Sequence, residues 1–237
     1  MVSNDNKSPL VAPRYQRNIK ALSVEQVQAL HTKKVCVIGS GGLGGYIVEI
    51  LARIGVFNIT LVDFDVFDVN NLNRQLFCKE ESLGKYKVDV AKERIKEVNS
   101  SVRLTTIKDK FSDENAAKIL RGHDLAIDAL DTINTRLLLE EHCNNLNIPM
   151  VHGSIAGWYG QVCFIAPGDD MLSKLYRDRD MEKGAETNFG NLPFTASTIA
   201  SFQCAEAIKF LTNKGTLTQN SVLQIDLLSG ETTRIKL

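Results

Sequence analysis

Apolar residues in this chain fall into short runs separated by stretches with helical spacing, and the two kinds alternate. Val35, Cys36, Val37 and Ile38 form the first run, and a helical pattern and a second run ending at Asp63 follow. Val88, Ala91, Ile95 and Val98 recur at helical spacing between Gly84 and Asn99, and Val102–Ile107 alternates as a strand. Ser112–Leu120 predicts a short helix, His123–Leu130 a buried strand, Thr132–Leu146 an amphipathic helix and Pro149–Ser154 a further strand. Ahead of all this, Ser23 and Gln26 have capping-box spacing and open a short helix to about His31. The repeated β-α order predicts an α/β fold: a Rossmann-like, mainly parallel sheet with helices on both faces.

Beyond Ser154 the pattern changes. Trp158–Ala166 reads as a strand with no helix before it, so antiparallel pairing is expected. Residues 167–193 are rich in Gly, Asp and Arg with weak periodicity, and are expected to cross over the ligand site. Thr195–Thr212 is apolar nearly all round, which predicts a buried helix, one that could also serve a subunit interface. Ser221–Leu228 and Thr232–Leu237 alternate about Ser229-Gly230 as a terminal hairpin, so antiparallel C-terminal strands continue the sheet. Without repeats or a clear linker, residues 1–13 read as a flexible polar tail and 14–237 as a single domain.

Composition narrows the function by exclusion. The 237 residues carry 28 Lys+Arg against 28 Asp+Glu, so no global field recruits nucleic acid or a membrane surface. No apolar run approaches the ~18–20 residues of a membrane span, and the N-terminus lacks a signal core. A cytoplasmic location is expected. The five cysteines (36, 78, 143, 163 and 204) form no CxxC pair, so reduced thiols are expected rather than a zinc site.

The chemistry collects where strands end. Gly39-Ser40-Gly41-Gly42-Leu43-Gly44 joins the first run to its helix, and Asp63 ends the second. Strand, glycine turn, helix, strand and acid make a nucleotide site: glycines admit phosphate to backbone N–H groups, the helix N-terminus favours anions, and the acid suits ribose hydroxyls. Alone these do not choose the nucleotide. Asn71, Arg74, Lys87 and Asp131 lie at the same sheet edge or in the loops just beyond it. Cations for phosphate and a separate carboxylate for Mg²⁺ suit phosphate transfer or adenylation better than hydride transfer. Blander readings stand beside these: Lys87 on a solvated helix face, Asp131 as a helix cap, Arg74 in a surface pair, Asp128 merely ending its strand. His142 and His152 read as structural histidines, having no second ligand at metal spacing.

The ordered blocks RYQRN, GSGGLGG, LVDFDVFDVNNLNRQ, LGKYKVDVAKERI and DLAIDALDTINTR resemble the ThiF/MoeB/HesA adenylyltransferases, bacterial relatives of the ubiquitin-activating enzymes. The resemblance runs from about residue 14 to the end. It implies a nucleotidyltransferase that uses ATP and Mg²⁺ to activate the C-terminal Gly-Gly carboxylate of a small ubiquitin-fold sulfur carrier. Molybdopterin, tungsten-pterin or thiamine biosynthesis would be the setting. By position, Gly39, Gly41, Gly42 and Gly44 line the phosphate turn, and Asp63 holds ribose. Asn71, Arg74 and Gln75 face ATP, Lys87 neutralises phosphate, and Asp131 holds Mg²⁺ with Asp65 and Asp128 nearby. Arg17 would reach the γ-phosphate of a neighbouring subunit, which implies a homodimer. The chain departs from the family where zinc cysteines or a crossover-loop cysteine are often found, so neither zinc nor covalent carrier transfer is expected. Thr132 replaces the usual Asn after the Mg²⁺ aspartate, and Arg136 is present. Ser154, Trp158 and Tyr159, with Gly153, Gly157 and Gly160, read either as the channel for the carrier tail or as core and turn residues. Two alternatives remain: adenylation of a small-molecule or peptide carboxylate, and a non-catalytic ATP-binding scaffold.

Overall fold

Residues 11–176 and 189–237 are described by the computed structural model. Most of the expected tail (1–10) and much of the expected crossover (177–188) lie outside the described residues. The first described residue, Val11, is already buried, and a 3-10 turn over Pro13–Asn18 follows, anchored by the buried Tyr15.

The strands are β1 (Lys34–Ile38), β2 (Asn58–Val62), β3 (Arg103–Ile107), β4 (Leu125–Asp128), β5 (Met150–Ala156), β6 (Tyr159–Ile165), β7 (Ser221–Asp226) and β8 (Glu231–Lys236). The helices are α1 (Val24–Thr32), α2 (Gly44–Ile54), α3 (Lys87–Val98), α4 (Asp113–Leu120), α5 (Ile133–Asn145), α6 (Met171–Leu175) and α7 (Pro193–Leu211). One sheet runs β3-β2-β1-β4-β5-β6-β7-β8. Its first five strands are parallel, and β6, β7 and β8 each pair antiparallel to the strand before. The chain therefore winds outward from β1 to β3, then returns to build β4 on the other side of β1. A crevice opens at the carboxyl ends of β1 and β4, where the winding reverses.

Strand alternation divides the core. Val35 and Val37 of β1, Val151 of β5, and Val162 and Phe164 of β6 face one cluster with α1, α2, α3 and α7. Cys36, Ile38, Met150, Cys163 and Ile165 face the other with α4, α5 and α6. Helices thus cover both faces, as the periodicity predicted. The capping box opening α1 is made, with Ser23 Oγ accepting from Gln26 N at 3.2 Å and Ser23 N donating to Gln26 Oε1 at 2.9 Å. The stretch predicted as helical from Gly84 forms helix only from Lys87. Gly84 has φ +78°, and Gly84–Tyr86 instead pair with residues 66–67.

The long apolar helix α7 lies directly on β5 and β6. A Cβ on Gly153 would sit 2.2 Å from the Gln203 side chain, and one on Gly160 would sit 2.2 Å from Ile199. Both glycines seat the helix, and Gly160 also forms part of the wall of a second cavity. Since Ile199 is wholly buried, Gly160→Ala overpacks the contact and is expected to cost about 2 kcal/mol. A urea denaturation midpoint compared with the parent protein measures it.

Candidate active site

The glycine turn is built by two close backbone approaches. Gly39 has φ +102°, and a Cβ there would lie 2.4 Å from the Ala129 carbonyl oxygen, on the loop after β4. A Cβ on Gly44 would lie 2.0 Å from Gly39 O. Gly41 and Gly42 differ: their nearest neighbours would be 3.6–3.7 Å away, so they leave space in the cavity rather than avoid a clash. α2 starts with no side-chain cap, so its first N–H groups remain available to an anion. Ser40 Oγ and Gln75 Oε1 are buried at this turn without a hydrogen-bond partner among the described residues.

A cavity of about 510 Å³ opens in front of it, at the carboxyl ends of the strands. Its wall includes Gly39, Gly41, Gly42, Asp63, Asp65, Arg74, Gln75, Lys87 and Asp131. Most of the residues singled out from sequence thus converge from five separate segments. Gly44 lies behind the turn, where it sets the turn's shape.

Asp63 follows β2. Its Oδ2 accepts from Ser40 N at 2.6 Å and its Oδ1 from Asp65 N at 2.8 Å, so it ties the turn to the β2 end while facing the cavity. Burial raises its pKa, against the opposing pull of Lys87 and these N–H groups. Lys87 is the first residue of α3 and is buried at 6% exposure, which removes the solvated-face reading. Its Nζ is 2.9 Å from Asp65 Oδ2, and its N–H also donates to Asp65 O at 3.0 Å. The antiparallel contact between 65–67 and 84–87 delivers the ammonium to the cavity. Arg74 donates to Asn70 O at 3.0 Å and Asn73 Oδ1 at 2.9 Å. Burial lowers its pKa, and Asp131 offsets this in part. Asp131 is exposed, and α5 has no side-chain cap, so the capping reading does not hold.

Other residues fall elsewhere. Asn71 is absent from the cavity wall, because its Oδ1 accepts from Asp68 N at 3.0 Å and closes a 3-10 turn. Asp128 is fully buried and accepts from His152 Nδ1 at 2.6 Å and Leu130 N at 2.9 Å, so it does not line the cavity beside Asp131. Arg17 is exposed on the N-terminal turn, away from the cavity of its own chain. Sequence reasoning missed Asp109, Lys110 and Phe111, which line the cavity from the loop after β3. Their position beyond a parallel strand's carboxyl end was the available signal. Of the expected crossover, Asn191 reaches the cavity, held through its carbonyl by Asn73 Nδ2 at 3.0 Å.

A second cavity of about 340 Å³ shares Arg136 and Ile155 with the first and is lined by Ser154, Tyr159 and Tyr176 among others. Trp158 lies outside it and packs on Phe194 at 4.8 Å between ring centroids.

A model described as "ThiF family" matches residues 15–237. The chain belongs to the ThiF family. The molybdopterin-synthase adenylyltransferase of Haemophilus influenzae is 31% identical over 231 residues, 94% of each chain. The SAMP-activating enzyme E1 of Haloferax volcanii is 29% identical, over 91% of this chain and 81% of its own. Among solved structures, E. coli MccB with ATP superposes at a TM-score of 0.79 with 22% identity, covering 97% of this chain and 73% of that one, and establishes the shared fold. No helix among the described residues is long and apolar enough to cross a membrane.

The residues fit a metal-bound nucleotide. Among the described residues no three His, Cys, Asp or Glu side chains are grouped to hold an ion. A metal at Asp131 would take its other ligands from phosphates and water, as Mg²⁺ commonly does.

The thiols of Cys36, Cys163 and Cys204 are pushed far up by burial, and Cys143 is raised to about 12, while Cys78 is only partly buried. A thiol-disulfide reagent at pH 8 is therefore expected to titrate no more than one thiol in the native protein and all five after unfolding. Two or more fast native thiols would show that a buried cysteine is open to chemistry.

Proposed function

We propose that this nucleotidyltransferase binds ATP with Mg²⁺ in the first cavity and adenylates the C-terminal Gly-Gly carboxylate of a small ubiquitin-fold sulfur carrier. The observation that carries the reading is the convergence on one cavity of an uncapped glycine turn, two cations (Arg74 and Lys87) and an uncapped carboxylate, Asp131. A hydride-transfer site has no use for that set.

In this reading the glycine turn and the N-terminus of α2 hold the phosphates, and Asp63 faces the ribose while bracing the turn. Arg74 and Gln75 approach from one side and Lys87 from the other. A carboxylate oxygen of the carrier attacks the α-phosphorus. The O–Pα bond forms, the bond to the bridging oxygen breaks, and its electron pair leaves with pyrophosphate. Two anions must meet, so Arg74 and Lys87 lower the barrier by offsetting their repulsion in a site partly shielded from water. Mg²⁺ held at Asp131 would add positive charge between the phosphates. The second cavity suits the carrier tail: it adjoins the first at Arg136 and Ile155, and Ser154 and Tyr159 form part of its wall. A cytoplasmic homodimer with Arg17 acting on the partner's nucleotide belongs to the same reading. It is supported by the exposed position of Arg17, outside its own cavity. The names of the Haemophilus and related adenylyltransferases favour a molybdopterin-type carrier over a thiamine one.

Carrier-dependent ATP–pyrophosphate exchange tests the reading. Arg74→Ala, Lys87→Ala and Asp131→Ala are each expected to lower exchange by about 10²-fold or more. Exchange supported by small acids or peptides but by no Gly-Gly carrier would replace the substrate. Tight ATP binding without any exchange would leave a scaffold. For the dimer, mixing Arg17→Ala with Lys87→Ala subunits should restore up to about a quarter of parental exchange, because each mixed dimer regains one intact site. No recovery after confirmed subunit exchange would remove Arg17 from the partner's site.

A further inference from the structure

Behind the Asp131 loop lies a closed circuit of buried and partly buried polar groups that the reaction itself does not use. Among the described residues the Asp131 side chain makes no hydrogen bond; what fixes its loop is the peptide of Leu130 just before it. Leu130 N–H donates to Asp128 Oδ1 at 2.9 Å, and Leu130 C=O accepts from Arg136 Nε at 3.2 Å and Nη2 at 2.5 Å. Both of these anchors depend on a second tier. Asp128 Oδ2 accepts from His152 Nδ1 at 2.6 Å, and Arg136 Nη1 donates to the Tyr176 hydroxyl at 3.1 Å. His152 Nε2 lies 3.2 Å from that same hydroxyl, to which Gln161 Nε2 also donates at 3.1 Å.

One proton arrangement satisfies the circuit. The Asp128 carboxylate can only accept, so His152 carries its proton on Nδ1 and presents Nε2 as an acceptor. The Tyr176 hydroxyl then donates to His152 and accepts from Arg136 and Gln161. Asp128 and Arg136, 3.7 Å apart and both buried, balance each other's charge. Such a network holds its members in one geometry, because each displaced member costs its buried neighbours a hydrogen bond.

We propose that Tyr176 and His152 are positioning residues for Asp131, fixing through Arg136 and Asp128 the loop that presents its carboxylate to the metal-bound nucleotide. This rests on the reading of Asp131 as the metal ligand. Four elements take part: β4 gives Asp128, α5 Arg136, β5 His152, and β6 Gln161. Tyr176, immediately after α6, closes the ring. It also lines the second cavity, so the wall of that cavity and the metal loop share one rigid support.

The test is equilibrium nucleotide binding, which needs no turnover. The dissociation constant of ATP is measured by calorimetry in EDTA and in excess Mg²⁺, and their ratio gives the gain from metal. Asp131→Asn should abolish the gain. Tyr176→Phe keeps the ring and removes only the hydroxyl, and should lower the gain about tenfold while metal-free ATP binding stays within about twofold. A merely structural loss would weaken both measurements alike. His152→Asn retains a donor for Asp128 but loses the acceptor facing Tyr176; it should lower the gain about threefold, and it decides the matter if Tyr176→Phe does not fold. An undiminished gain in the folded Tyr176 or His152 variant, with Asp131→Asn impaired, overturns the positioning role alone. A full gain in Asp131→Asn overturns the metal-ligand reading, and the positioning role with it.

Discussion

The site depends on how closely two loops approach at the centre of the sheet. β1 and β4 are neighbours there, and the turn after β1 meets the loop after β4 at Gly39 and Ala129, with no room for a side chain between them. Ala129 N–H donates to Ile38 O at 2.9 Å, and Gln203 Nε2 donates to Asp128 O at 2.7 Å, so the second loop is fixed from the sheet and from α7. This contact places the glycine turn and the Asp131 carboxylate in one cavity. Moving either loop would separate the glycine turn from the Asp131 carboxylate.

Electrostatics then gives the cavity its character. Lys87 is held buried beside the half-exposed Asp65, an arrangement tolerable because the ammonium keeps a carboxylate partner. Arg74 is anchored by neutral acceptors, Asn70 O and Asn73 Oδ1, and so keeps its charge for the cavity. Neither cation is spent on a distant surface pair. Together with the uncapped start of α2, they put positive charge in the cavity wall, which the carboxylates Asp63 and Asp131 share.

What could be read from sequence followed from periodicity and local chemistry. Strands β1 to β5, the change to antiparallel pairing at β6, the buried α7 and the terminal hairpin all carry patterns that their burial requires. The positions of Asp63, Arg74, Lys87 and Asp131 were legible because ligands gather at strand carboxyl ends in such sheets. Side-chain partnerships were not. Nothing local shows that Asn71 would turn back to cap its own 3-10 turn, or that Gly153 and Gly160 serve α7 some 40 residues later. Nor does spacing reveal the link between His152 and Asp128, which lie on adjacent strands and pair only once the sheet has formed. Such long-range polar satisfaction is a property of the assembled core.

The central claim is attack by a carboxylate on the α-phosphorus of ATP in the cavity between β1 and β4. Its most direct test is oxygen-18 transfer from a carrier, or a peptide bearing its C-terminus, labelled in both carboxylate oxygens. After the acyl group is discharged to a nucleophile, the account predicts one labelled oxygen in AMP and none in pyrophosphate. Unlabelled AMP, or label in pyrophosphate or phosphate, would contradict it.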